Sequence, residues 1–160
     1  GVENFSRPRS VGLIAVDLAD GDELVEVALT SGNSEIMLFS SGGKAIRFVE
    51  SQVRPMGRTA RGVRGISMKA DQEVISMLVF EGATEADSVL VATENGYGKR
   101  SAFSDFPVKN RGGQGVIAIR VGGRNGLLVG AERVINSDDL MLITGGGRLV
   151  RTRKIGRAHV

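Results

Sequence analysis

Short apolar or alternating runs follow one another along the chain, each broken by a cluster of Gly, Ser, Asn or Asp. In the N-terminal part the runs are Gly12 to Leu18, Glu23 to Thr30, Glu35 to Phe39 and Lys44 to Val49. Their separators are Asp20-Gly21-Asp22, Ser31-Gly32-Asn33-Ser34 and Ser40-Ser41-Gly42-Gly43. These residues supply positive φ and side-chain-to-backbone hydrogen bonds, the chemistry of tight turns. Longer windows keep no helical apolar period, so the pattern predicts strands joined by turns and almost no helix.

The same pattern returns twice. Gly43 and Arg47 in Ser41-Gly42-Gly43-Lys44-Ala45-Ile46-Arg47 line up with Gly96 and Arg100, and with Gly147 and Arg151. The runs leading in also match: Glu35 to Phe39, Ser88 to Ala92 and Asp139 to Ile143. A second anchor, a glycine followed by β-type residues, recurs at Gly12, Gly62 and Gly115. A four-stranded unit repeated about every 50 residues is the signature of a propeller blade, and propellers typically close with about 4–8 blades. Three blades therefore read as part of a larger ring. The expected units span residues 6–53, 54–106 and 107–156, with residues 157–160 belonging to a further blade; together they form one all-β domain or fragment over residues 1–160.

Composition narrows the chemistry. The 160 residues are 41% hydrophobic and 24% charged, which suits a folded, soluble chain rather than a disordered or membrane-spanning one. No cysteine is present and His159 is the single histidine, which excludes disulfides, thiol catalysis, Cys-ligated metals and His-rich metal centres. No basic segment leads into an apolar one at the N-terminus, so the expected compartment is the cytoplasm.

Charge is distributed unevenly. Residues 1–53 carry a net −4, residues 54–110 a net +1 and residues 111–160 a net +6. Arg54, Arg58, Arg61 and Arg64 form an acid-free run, and Arg148, Arg151, Arg153, Lys154 and Arg157 form another. Such clusters suit a polyanion. A lone surface arginine is ordinarily just solvated, but Arg47, Arg100 and Arg151 recur at one phase of three strands. Strand side chains alternate faces, so all three are expected opposite Ile46 and its equivalents, as a rim of guanidinium groups suited to phosphate. Arg58 and Arg61 before Gly62, and Lys109 and Arg111 before Gly115, form a second set, with Lys99, Arg148 and Arg153 completing the candidate polyanion-binding residues. Gly62 and Gly115 would either let backbone N–H groups approach a phosphate or simply allow a turn into a strand.

Other motifs read as structural. The single tyrosine, Tyr97, stands at the turn position equivalent to Lys44 and Arg148, with no carboxylate cluster around it. Gly145-Gly146-Gly147-Arg148 and Gly122-Gly123-Arg124 lack the Gly-Lys-Ser/Thr continuation and helix of a nucleotide loop. Phe39, Phe48, Phe80, Phe103 and Phe106 read as core rather than as base-stacking platforms.

Along most of its length the chain resembles the C-terminal DNA-wrapping domain of bacterial DNA gyrase A. The carrying stretches include Phe5 to Ser10, Asp20 to Leu24, Val53 to Gly57, Gly62 to Ile66, Gly115 to Ile119 and Leu149 to Arg153. The most specific stretch is Thr93-Glu94-Asn95-Gly96-Tyr97-Gly98-Lys99-Arg100. The resemblance implies a β-pinwheel, a propeller-like ring whose blades exchange strands, with duplex DNA wrapped around a basic perimeter. It implies a noncatalytic domain without a cofactor of its own, within an ATP- and Mg-dependent topoisomerase that supercoils DNA negatively. Its implied partners are duplex DNA, the rest of gyrase A, and gyrase B in an A2B2 assembly at the bacterial nucleoid, with no membrane. The chain departs from the family at two places. The wrapping motif Gln-Arg-Arg-Gly-Gly-Lys-Gly is absent, its nearest echo being Lys109 to Gly115, and the Arg153-to-Arg157 stretch is short. The chain thus reads as roughly the last half to two-thirds of such a domain, starting near the end of an earlier blade, or as a copy in which that blade is missing. The readings weighed against it are the equivalent C-terminal domain of topoisomerase IV and a propeller used as a protein-interaction scaffold.

Overall fold

A computed structural model of the chain describes residues 2–7, 10–135 and 137–152. Among the described residues nine strands carry the fold: β1 (Glu35–Ser40), β2 (Lys44–Val49), β3 (Val74–Phe80), β4 (Ser88–Thr93), β5 (Gly98–Ala102), β6 (Val116–Ile117), β7 (Leu128–Val134), β8 (Leu140–Ile143) and β9 (Leu149–Thr152). The helical residues described are short 3-10 turns at Val2–Phe5, Glu50–Gln52 and Phe103–Asp105. The all-β expectation holds.

Three antiparallel hairpins, β1–β2, β4–β5 and β8–β9, are the repeated core of the fold. Each turns through a glycine at the predicted position, and Gly43, Gly96 and Gly147 all have positive φ. At Gly43 an added Cβ would also lie 2.3 Å from the Ile119 carbonyl oxygen, so that turn needs glycine for space as well as for φ.

Sheets are completed by strands donated from later in the chain. β3 adds to β1 and β6 adds to β2, giving the order β3-β1-β2-β6. β7 adds to β4 in the order β5-β4-β7, while β8 and β9 form a sheet of two strands among the described residues. Hydrogen-bonded sheets therefore cross the unit boundaries at residues 53/54 and 106/107. The pinwheel exchange is visible in this lacing.

The first two sheets pack face to face. Met37, Phe39, Ala45 and Phe80 of the first meet Val89, Val91, Leu128 and Ala131 of the second, with Phe103 and Phe106 filling the space between. Ile36, Ile46, Phe48 and Ile66 form a smaller cluster on the other face of the first sheet. Burial of apolar area on both faces at about 25 cal/mol per Å² is the main stabilising term.

The N-terminal unit departs from expectation. Gly12 to Leu18 and Glu23 to Thr30 form no strand, and Ile14, Leu24, Val25, Val27 and Leu29 are exposed, Val27 and Leu29 by more than 80%. The counterparts of Glu23 to Thr30 in the later units are β3 and β7, each of which pairs with the hairpin of the preceding unit. No such hairpin stands before Glu23 among the described residues, and the run is unpaired among them.

Candidate nucleic-acid interface

The recurrent arginines come first, because the structure gives them a shared geometry. Arg47 stands opposite Met37, Arg100 opposite Leu90 and Arg151 opposite Met141. From each position the guanidinium reaches diagonally to a polar residue twelve earlier in sequence. Arg47 pairs with Glu35, Arg100 donates to Ser88 Oγ at 3.2 Å, and Arg151 pairs with Asp139. One phase of the repeat thus ties each hairpin to itself.

Arg47 departs furthest from the expected solvent rim. Its side chain is only 14% exposed. It donates to the carbonyl oxygens of Phe106 at 2.9 Å and Phe103 at 3.3 Å, and its guanidinium carbon lies 3.8 Å from the Phe103 ring centre. The physical reason is that both faces of the first sheet are covered. Arg47 does lie opposite Ile46, but its face is packed by the turn at Phe103–Phe106. Arg151 is exposed at 59% of its side chain, and Arg100 is half-buried.

The inter-unit set is divided. Arg58 donates to the Ile14 carbonyl at 3.2 Å, and Arg61 forms an exposed pair with Asp17 at 2.8 Å. Arg111 spans Gln52 O at 3.1 Å and Arg64 O at 2.5 Å, binding two connections together. Lys109 is exposed, with its backbone N–H on the Arg47 carbonyl at 2.7 Å. Gly115 is a packing glycine: φ is +69° and an added Cβ would lie 2.2 Å from the Ala45 carbonyl oxygen. Arg153 lies outside the described residues.

The antiparallel pairings bring all three hairpin turns, the first residues of β3 and β7, and β6 to the same end of their sheets. In those turns, in the first residues of the strands that leave them and in the loops at residues 67–73 and 120–127 stand six cations, Lys44, Lys69, Lys99, Arg120, Arg124 and Arg148, against three acids, Asp71, Glu73 and Glu94. Lys44 and Lys69 line a shallow cavity of about 160 Å³ with Gln72 and Gln114, where Lys44 Nζ donates to Gln114 Oε1 at 3.4 Å. At the second hairpin turn Arg124 lies over the Tyr97 ring at 5.5 Å, and Asn95 Nδ2 donates to the Arg124 carbonyl at 2.9 Å. Lys99 and Arg148 were legible in the sequence. Lys44, Lys69, Arg120 and Arg124 were missed, although Lys44, Tyr97 and Arg148 share one repeat position.

The opposite end is acidic, and Asp87, Glu50 and Glu81 there are engaged by the protein. Asp87, 1% exposed, accepts from Arg133 Nε at 2.5 Å and from the Thr84 N–H at 2.7 Å; the Arg133 hydrogen bond is the main reason its carboxyl titrates below its ordinary value. Glu50 is lowered chiefly by the Thr30 hydroxyl and also accepts the Gly32 and Ser34 N–H groups. Glu81 accepts from Ser31 N and Ser34 Oγ.

Comparison with known proteins follows this architecture. The family profile described as DNA gyrase C-terminal domain, beta-propeller, matches residues 2–31, 34–81 and 87–135. The chain is 55% identical over 149 residues to DNA gyrase A of Salmonella typhimurium and 51% identical over 149 residues to that of Escherichia coli. These matches cover 93% of this chain but 17% of each relative's length. Among solved structures, the C-terminal domain of DNA topoisomerase IV superposes with a TM-score of 0.87 at 27% identity, over 95% of this chain and 47% of the other. The DNA gyrase A C-terminal domain superposes with a TM-score of 0.80 at 26% identity, over 90% and 48%.

Proposed function

The chain belongs to the DNA gyrase C-terminal domain, beta-propeller family, and on that premise we propose that it is a noncatalytic domain that binds and bends duplex DNA along the hairpin-turn end of its sheets. The observation that carries this reading is the two-to-one excess of cations over acids at that end, facing away from an acidic opposite end. A duplex drawn to one end of successive sheets follows their arrangement and bends. Contacts of this kind go to phosphates, which position the duplex without reading its sequence.

In the whole protein, the bent segment would be presented to the DNA gate formed by the rest of gyrase A, with gyrase B supplying ATP-driven strand passage in an A2B2 assembly. Negative supercoiling is the outcome of that cycle. The compartment is the bacterial cytoplasm, at the nucleoid. The domain itself needs no cofactor; ATP and Mg act elsewhere in the assembly.

The test is a titration of the chain with duplexes of unrelated sequence across a range of salt. The expected result is similar affinity for each duplex, falling steeply and linearly on a log–log salt plot through counterion release. Affinity insensitive to salt, or confined to one sequence, overturns the reading.

A further inference from the structure

The loop at residues 120–127 carries one arginine on a slender, closed tip. Gly122 and Gly123 precede Arg124, and a Cβ built on either glycine meets nothing within 4 Å. The tip is therefore a bare backbone, with the exposed Arg124 side chain as its first bulk. The loop closes on itself through the Gly122 N–H on the Gly126 carbonyl at 2.9 Å, the Asn125 N–H on the Gly122 carbonyl at 3.1 Å and Asn125 Nδ2 on the Arg120 carbonyl at 2.8 Å. Further hydrogen bonds strap it to the β4–β5 turn. Asn95 Nδ2 donates to the Arg124 carbonyl, the Leu127 N–H donates to Glu94 Oε1 at 2.9 Å, and the Glu94 N–H donates to the Leu127 carbonyl at 3.0 Å. An aromatic ring, and not an acid, places the guanidinium. It lies over Tyr97, whereas Arg47, Arg61, Arg133 and Arg151 each pair with a carboxylate. Among the described residues Arg124 has no such pair, so its charge is left for a ligand, and the ring limits the side-chain freedom that binding would otherwise cost.

Resting on the reading of this end as a duplex-binding surface, we propose that Arg124 enters the minor groove of the bound DNA, positioned there by Tyr97, so that A·T-rich steps turn toward the protein at that point. The minor groove is about 6 Å wide, which admits a bare loop tip with one side chain but not a broad cationic face. A duplex bent around a surface has its inward-facing minor groove compressed. A·T-rich steps narrow most readily, and the deeper negative potential of a narrow groove attracts a guanidinium without base-specific hydrogen bonds. Arginine suits this place better than lysine because it is more weakly hydrated. The outcome is a rotational setting of the duplex, not recognition of one sequence, and it is compatible with phosphate contacts from the other cations of this end. A guanidinium displaces counterions in the groove much as it does on a phosphate, so the salt slope alone does not separate the two placements.

Hydroxyl-radical footprinting of the full 160-residue chain on two duplexes separates them. Both duplexes are G·C-rich with one short A-tract, which in the second is moved by about five base pairs, half a helical turn. The protected minor-groove face is expected to move with the A-tract, and in competition either duplex should be favoured by about threefold over a G·C-rich duplex without one. Arg124→Lys keeps a charge but loses the weakly hydrated plane, and Tyr97→Ala keeps Arg124 but removes its support. In both variants the protection should stop following the A-tract and the competition ratio should fall to about one. Glu81→Gln, at the opposite end, should retain both. Salt-dependent binding with protection that ignores the A-tract overturns this inference and leaves the duplex-binding reading standing, and so does tracking that survives in either Arg124→Lys or Tyr97→Ala. Failure to bind any of the duplexes overturns both.

Discussion

The guanidinium carbon of Arg47 lies 3.8 Å from the centre of the Phe103 ring, and Phe103 in turn stacks on Phe80 at 4.1 Å between ring centres. Arg133 lies over Phe80 at 5.1 Å, so two aromatic rings are sandwiched between two cations across the junction of the first and second sheets. Each cation also meets a carboxylate, Glu35 for Arg47 and Asp87 for Arg133. The junction is a charged and aromatic column set beside the apolar core.

Arg47→Ala removes the head of that column and leaves Glu35 and two carbonyl oxygens without their donor. The expected loss is about 2–3 kcal/mol in chemical denaturation, the scale for breaking a largely buried, hydrogen-bonded charge pair. Arg151→Ala, at the same repeat phase but on an exposed hairpin, is expected to cost about 0.5 kcal/mol or less. Equal effects would show that exposure does not decide the role of this position.

Gly115 and Gly62 separate strain from space. Both have positive φ, but an alanine Cβ at Gly62 meets nothing within 4 Å whereas at Gly115 it strikes the Ala45 carbonyl. Gly62→Ala is expected to cost about 1–2 kcal/mol from backbone strain alone. Gly115→Ala adds overpacking, for about 2–5 kcal/mol in total, and exposes the Ala45 amide to faster hydrogen exchange as β6 lifts from β2.

Acid should weaken the fold through Asp87. Its folded-state pKa is depressed below the ordinary 3.8, first by the Arg133 hydrogen bond. Its contribution is therefore complete above the unfolded-state value and lost as pH falls through the lower folded value. Urea midpoints measured downward from neutral pH should fall through and below pH 3.8. In Asp87→Asn the midpoint should be lower at neutral pH and flatter in acid. A variant as steep in acid as the parent would assign the effect to other carboxylates.

Arg124→Ala and Arg148→Ala should each reduce the log-affinity versus log-salt slope for duplex DNA by about 0.9, the expectation for one phosphate contact. Glu81→Gln, at the opposite end, should leave the slope unchanged. An unchanged slope in both arginine variants would remove the hairpin-turn end from the interface.

Local order was legible in the sequence because it depends on neighbours. Alternation and turn chemistry predicted Glu35 to Phe39 and Lys44 to Val49, and the strands observed are Glu35–Ser40 and Lys44–Val49. Pairing was harder, because β1 bonds to β3 across a long separation and neither run names its partner. The same gap explains Glu23 to Thr30, a good strand sequence with no paired edge among the described residues. Arg47 was placed on the correct side of its strand, but the sequence did not show that Phe103–Phe106 would cover that side. A usable signal existed, since a polar residue stands twelve positions before each recurrent arginine, at Glu35, Ser88 and Asp139.

The lacing of β6 into the first sheet also sets a timetable for synthesis. The β1–β2 hairpin can form as soon as residue 49 is free of the ribosome, but the outer edge of β2 stays unpaired until Val116 and Ile117 arrive. At about 5–20 residues per second that edge is open for several seconds. The outer edge of this hairpin thus waits for residues that follow the whole β4–β5 hairpin, and a nascent chain exposes it to neighbouring copies on the same message throughout that interval.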